Sequence, residues 1–115
     1  DLMLENVLFG AVGWVSGLTN SFPRESVEMY RLATTGRTAE ALELYRWFMP
    51  MLHLDVAVKL VQYIKLVNQM AGEGSEWVRP PRLPLIGEGF GFLLAAPVRG
   101  LMRTSVRSRK NIWVR

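Results

Sequence analysis

Gly10-Ala11-Val12-Gly13-Trp14-Val15-Ser16-Gly17-Leu18-Thr19-Asn20, followed by Ser21-Phe22-Pro23-Arg24-Glu25, is the stretch whose reading decides the fold. A short apolar run lies between glycines and ends in small polar residues. It predicts one buried strand feeding directly into a capped helix. No other segment of the 115 residues reads convincingly as a buried strand. A lone strand cannot form a sheet, because its backbone donors and acceptors need neighbours. The chain is therefore expected to be the end of a larger α/β protein whose other strands lie outside it. Its opening at Asp1, without a methionine and inside the amphipathic segment Asp1–Phe9 (Leu2, Leu4, Val7, Leu8 and Phe9 apolar), points the same way.

Outward from that stretch the pattern is helical. Asn20 or Ser21 is expected to cap a helix whose first turn holds Pro23, where a missing N–H costs nothing. Glu25 and Glu28 suit its positive end. The helix should run to about Thr35, with Phe22, Val27, Tyr30 and Ala33 near one face, and close at Gly36. A second, capped by Thr38, is expected over about Ala39–Leu54, with Ala41, Leu44 or Tyr45, Phe48 and Leu52 in period. Pro50 should kink or divide it near Trp47–Met49. A third, capped by Asp55, is expected over about Val56–Ala71 and closed by Gly72. Its apolar surface takes in Val58, Val61, Ile64 or Lys65, and Leu66 or Val67. Pro80, Pro81 and Pro84 then forbid helix and favour an extended path.

Composition narrows the function classes. Half of the residues are hydrophobic, too many for a disordered chain. No apolar run approaches the roughly 20 residues of a membrane-spanning helix. With no cysteine there is no disulfide framework and no thiolate chemistry, in keeping with a reducing, cytoplasmic compartment. The net charge of +4 is unevenly spread. Asp1–Leu85 holds eight basic and nine acidic residues, whereas Ile86–Arg115 holds six basic residues and the single acid Glu88. The body thus carries no electrostatic footprint for nucleic acid.

Six features, in order, resemble the C-terminal third of the dihydrodipicolinate synthase / N-acetylneuraminate lyase family. Gly10–Ser16 is similar to its eighth barrel strand, and Asn20 with Pro23 to the start of the helix that follows. Leu32-Ala33-Thr34-Thr35-Gly36-Arg37 resembles a family helix ending. Ala41–Pro50 resembles an alanine-rich helix leading into Met49-Pro50-Met51. Val58-Lys59 resembles a helix start, and Val78–Leu85 an arginine-x-proline segment. Family members are (β/α)8 barrels that form a Schiff base between a lysine and a 2-keto acid. The resemblance implies the last strand of a TIM barrel, then a C-terminal three-helix extension, in a chain that is mainly α as it stands. It divides the sequence into a helix-strand remnant (1–21), a helical and proline-rich region (22–85) and a divergent basic tail (86–115). Trp14–Asn20, Tyr45–Pro50 and Arg79–Leu85 most resemble the branch of the 1-pyrroline-4-hydroxy-2-carboxylate deaminases. Aldolases and dehydratases of keto-deoxy sugar acids are the alternative within the family.

The family's chemistry needs a desolvated lysine and a proton-relaying tyrosine on earlier barrel strands. Lys59 and Lys65, the only lysines before the tail, fall on the third helix and read as solvated surface. No catalytic residue is therefore assigned to this chain. The resemblance gives it one wall of the pocket instead: the Val15 main-chain carbonyl near the lysine–substrate adduct, with Ser16 and Gly17 lining the site. Asp1 is a weaker candidate, as the remnant of an acidic loop. The ligand expected is a small 2-keto acid or cyclic imino acid, bound by a parent enzyme that is a homo-oligomer and needs no metal or organic cofactor. Neither nucleic acid nor membrane is expected as a partner. His53, the sole histidine, cannot build a metal cage with Asp55 alone. Gly87, Gly89 and Gly91 lack the lysine and hydroxyl of a phosphate loop, and Arg79–Leu85 reads as a connector rather than an SH3 ligand.

The tail departs from the family, which would continue with a helix rich in Glu, Ala and Leu. An altered reading frame or an unrelated extension is the expectation for Ile86 onward. Two rival readings complete the set: an autonomous helical interaction module, and a binder of lipid or RNA through the basic tail.

Overall fold

A computed structural model describes residues 1–87. The expectations for the tail beyond Gly87 lie outside the described residues. Among those described there are four α-helices, two 3-10 turns and no strand. The helices are α1 (Met3–Leu8), α2 (Pro23–Thr34), α3 (Thr38–Leu52) and α4 (Leu60–Ala71); the turns are Leu18–Asn20 and His53–Val56. The chain divides into two units, Asp1–Ala57 and Val58 onward.

In the first unit α1, α2 and α3 pack on one another in every pairing. The core is made by Met3 and Leu4 of α1, Leu18 of the first turn, Phe22, Met29 and Leu32, and Ala41, Tyr45, Phe48, Met51 and Leu52 of α3. Phe22 and Phe48 meet edge to face, ring centroids 5.5 Å apart at 84°, the arrangement their quadrupoles favour. Helix α2 buries Ser26, Met29, Leu32 and Ala33, so its inner face is not quite the expected one: Val27 is 65% exposed and Met29 takes the core instead. Ser26 can be buried on that face because its hydroxyl donates to the Phe22 carbonyl at 2.8 Å. Along the opening segment, Leu2, Leu8 and Phe9 stay exposed while Met3 and Leu4 of α1 go inside.

The helix boundaries show which local signals held. Pro23 does start α2, but Phe22 occupies the cap position with no side-chain cap, so neither Asn20 nor Ser21 caps it. Gly36 takes the left-handed conformation, φ +76°. Beyond it Arg37 N–H reaches back to the Leu32 carbonyl and Gly36 N–H to that of Ala33, a Schellman closure. Gly72, φ +77°, closes α4 in the same way, with Glu73 N–H on Asn68 and Gly72 N–H on Gln69. Helix α3 begins at Thr38 after an uncapped Arg37.

Pro50 does not divide α3, which runs through it to Leu52. The proline denies the Arg46 carbonyl one hydrogen bond, but Phe48, Met51 and Leu52 are buried around it. Their burial holds the last turn together. Asp55 does not cap the following helix either. It sits in the 3-10 turn, and α4 starts five residues later behind Lys59.

In the second unit α4 buries Ile64, Leu66, Val67 and Ala71, whereas Val58 is fully exposed and Val61 and Lys65 face outward. Residues 73–87 form neither helix nor strand, as three prolines in five positions require. Val78 is buried, the Glu76 N–H donates to Gln69 Oε1 at 2.9 Å, and Gln62 Nε2 reaches the Leu83 carbonyl at 3.4 Å. The proline-rich segment is thus anchored at Val78 and through Gln62, while Arg79–Pro84 stay exposed. No helix among the described residues is long and apolar enough to cross a membrane.

Candidate functional site

The stretch Gly10–Ser16, expected as a buried strand, is neither buried nor paired. Val12 is 94% exposed and Val15 wholly so. The reason is that a strand is completed by its neighbours, and no other described segment supplies one. Gly10, at φ +97°, turns the chain out of α1, and Ala11 N–H closes that turn on the Asn6 carbonyl at 2.9 Å.

Two side chains from distant parts of the unit hold the stretch in place. Tyr30 of α2 donates its hydroxyl to the Val12 carbonyl at 2.7 Å, and its ring stacks on Trp14 with centroids 6.1 Å apart. Further along, the Ser16 hydroxyl donates to Asp55 Oδ2 at 2.7 Å. The other carboxylate oxygen, Asp55 Oδ1, is buried and meets no hydrogen-bond donor among the described residues.

The three residues expected to line a pocket therefore have distinct settings. Val15 stands fully in solvent. Ser16 is half-buried and tied to Asp55. Gly17, also half-buried, has ordinary helical backbone angles (φ −63°, ψ −38°) and opens the Leu18–Asn20 turn. Its carbonyl accepts from Asn20 Nδ2 at 2.9 Å. Asn20 thus tightens the turn after the stretch instead of capping α2.

Nothing in this arrangement is a nucleophile with its base. Ser16 faces a carboxylate with no imidazole between them. His53 is exposed and sits 3.7 Å from an Asp1 carboxylate oxygen. Lys59 precedes α4 and Lys65 lies on its exposed side, so neither has the desolvated setting that makes an amine nucleophilic. No group of three or more metal-ligating side chains occurs among the described residues.

A second polar cluster escaped sequence reading. The Tyr45 hydroxyl faces both the Glu5 carboxylate, at 2.6 Å, and the Asp1 carbonyl. Burial first, and then the Glu5 carboxylate, push the Tyr45 hydroxyl well above its ordinary value. This tyrosine is held protonated as a donor. In the second unit an open groove of about 610 Å³ lies along α4, lined by Gln62, Leu66, Gln69, Trp77, Val78 and Arg82. Asp55 as the partner of Ser16, 39 positions away, left no signal in the sequence. The helical period puts Tyr30 on the inner face of α2 but does not reveal its bond to Val12.

The model of the "Dihydrodipicolinate synthetase family" matches residues 1–89. A "4-hydroxy-tetrahydrodipicolinate synthase" of Acidobacterium capsulatum is 32% identical over 85 residues, which is 74% of this chain. The chain spans only 28% of the length of that relative. No solved structure matches the chain significantly.

Proposed function

Because the chain belongs to the dihydrodipicolinate synthetase family, we propose that it contributes the last barrel strand and the helical C-terminal region of a Schiff-base lyase. In this reading Gly10–Ser16 pairs with neighbouring barrel strands, and Val15, Ser16 and Gly17 form one wall of the pocket. The bound molecule is a small 2-keto acid or cyclic imino acid, of the kind handled by the pyrroline hydroxycarboxylate deaminases. The lysine that attacks the substrate carbonyl comes from an earlier barrel strand. Its amine adds to a 2-keto carbonyl to give a carbinolamine, which loses water to form the imine, whereas with a cyclic imino acid the ring nitrogen leaves as an amine; an adjacent tyrosine moves the protons.

The observation that carries this reading is the state of Gly10–Ser16. Two tethers hold it, Tyr30 to the Val12 carbonyl and the Ser16 hydroxyl to Asp55. Yet Val12 and Val15 stand in solvent and no described strand pairs with them. A held but unpaired apolar segment is what a barrel strand presents when its neighbours are absent. Glycines at 10, 13 and 17 keep bulk away from whatever approaches it.

Borohydride trapping tests the reading. This chain, and the full gene product that carries it, are each incubated with pyruvate and sodium borohydride. Hydride reduces any imine to a stable secondary amine that mass spectrometry detects. The expected result is an adduct on the full product, on a lysine outside this chain, and none on the chain alone. An adduct on Lys59 or Lys65, or none on the full product, overturns the proposal.

A further inference from the structure

We propose that Tyr30 is an autoinhibitory latch: by holding the Val12 carbonyl it withholds Ala11–Ser16 from pairing, edge to edge, with a second copy of this chain. The inference goes beyond the Schiff-base reading and depends on no substrate.

Ala11-Val12-Gly13-Trp14-Val15-Ser16 has the make-up of a self-pairing segment: two valines and a tryptophan in six residues, with no charge and no proline. Val12 and Val15 stand in solvent. No backbone–backbone hydrogen bond among the described residues reaches Val12–Ser16. Unpaired donors and acceptors on an exposed apolar stretch are a template for another chain.

Successive residues of an extended chain turn their backbone groups to opposite edges. Were the stretch to pair, one edge would present Ala11, Gly13 and Val15, and the other Val12, Trp14 and Ser16. Each edge is spoiled at its first residue. On the first, the Ala11 N–H is spent on the Asn6 carbonyl at 2.9 Å. On the second, the Val12 carbonyl accepts the Tyr30 hydroxyl at 2.7 Å. The Tyr30 ring also stacks on Trp14, with centroids 6.1 Å apart. One side chain thus grips the first two residues of that edge. The chain cannot lengthen either edge beyond Ser16, because Gly17 has helical backbone angles. Two intact residues per edge have little to set against the cost of bringing two chains together.

The two blocks differ in kind. The Ala11 bond joins backbone to backbone and belongs to the turn out of α1, where Gly10 sits at φ +97°. The Val12 bond hangs on one hydroxyl, carried by a helix whose Met29, Leu32 and Ala33 are buried in the core. Removing that hydroxyl opens the second edge and leaves the rest of the unit as it was.

Sedimentation equilibrium over a range of concentrations compares this chain with Tyr30→Phe, while the infrared amide I band reports inter-strand pairing. Phenylalanine keeps the ring on Trp14 and lacks only the donor. One hydrogen bond is worth about fivefold and two copies hold two latches, so dimerisation should strengthen roughly 25-fold. An inter-strand band absent from the wild type should appear with it. Val15→Lys added to Tyr30→Phe puts a charge on a fully exposed position and should return association to the wild-type level. Phe9→Ala on the same background lies outside the stretch and should leave the gain in place. If Tyr30→Phe loses its helical circular dichroism, Trp14→Leu decides. It keeps the Tyr30 hydroxyl but removes the ring that steadies it, and association should rise there too.

Equal association of the wild type and the latch variant overturns the inference. So does a gain that Val15→Lys leaves in place, and so does a wild type that already shows the inter-strand band.

Discussion

Replacing Phe48 by alanine should remove a third or more of the stability of the first unit. Phe48 and its partner Phe22 are each 1% exposed and meet edge to face at 5.5 Å. Truncating a fully buried phenylalanine costs about 3–5 kcal/mol, through lost transfer free energy and the cavity left behind. The lost ring pair lies within that figure at about 0.5–1.5 kcal/mol. Against it, a unit of 57 residues at about 0.05–0.15 kcal/mol per residue holds roughly 3–9 kcal/mol in all. Urea unfolding followed by far-ultraviolet circular dichroism measures the difference. With a slope of about 1 kcal/mol per molar, the midpoint should fall by about 3 M or the transition should vanish. Phe9→Ala is the control. Phe9 is 92% exposed, and its loss should stay within about 0.5 kcal/mol. If Phe48→Ala unfolds no more readily than Phe9→Ala, then Phe48 does not sit in a packed core and the helical packing described here is wrong.

The remaining predictions concern a backbone closure, a protonation and a buried contact. At Gly36, φ +76°, nothing stands within 4 Å of an added Cβ, so Gly36→Ala meets only the conformational penalty of a left-handed residue, about 1–2 kcal/mol. Thermal melting should show it, and a variant as stable as the wild type would refute the αL closure. Tyr45 has its folded value raised above the ordinary 10.0; the stability this brings is fully present below that pH and fades as pH climbs toward the folded value. The melting temperature should accordingly fall more steeply above pH 10 for the wild type than for Tyr45→Phe, and parallel curves would show that the hydroxyl is not held protonated. Ser16→Ala strips Asp55 of its described donor and should destabilise the unit by about 1 kcal/mol, whereas in an Asp55→Ala background the same change should cost almost nothing. Equal costs in both backgrounds, measured by urea unfolding, would refute the contact.

Much of the helical architecture was legible because its signals are local. Pro23 marks a helix start through its preset φ, and Gly36 and Gly72 mark helix ends because glycine takes the left-handed turn without strain. Ala41, Phe48 and Leu52 repeat with the helical period and are buried as expected. Expectations failed where a local rule competed with packing. Val27 fits the apolar face of α2 but Met29 fills the core. Pro50 was expected to kink or divide α3; it does not divide it, and the buried residues around it carry the helix on to Leu52. Of the candidate caps, Asn20 bonds the Gly17 carbonyl within its own turn, Thr38 falls inside α3, and Asp55 is drawn to Ser16, since short polar side chains have local and tertiary partners that compete with capping.

By itself the sequence determined the family, the mainly helical composition and the odd character of Gly10–Ser16, because residue type and order carry all three. What that stretch does in space was decided by tertiary structure. Periodicity predicts a strand but cannot supply the strands beside it, and without them Val12 and Val15 face water. Nor does any local rule join Ser16 to Asp55 across 39 positions or Tyr30 to Val12 across 18. Those contacts exist because the packing of α1, α2 and α3 around Phe22 and Phe48 brings distant backbone and side-chain groups within hydrogen-bonding reach, and such a distance is a property of the folded chain alone.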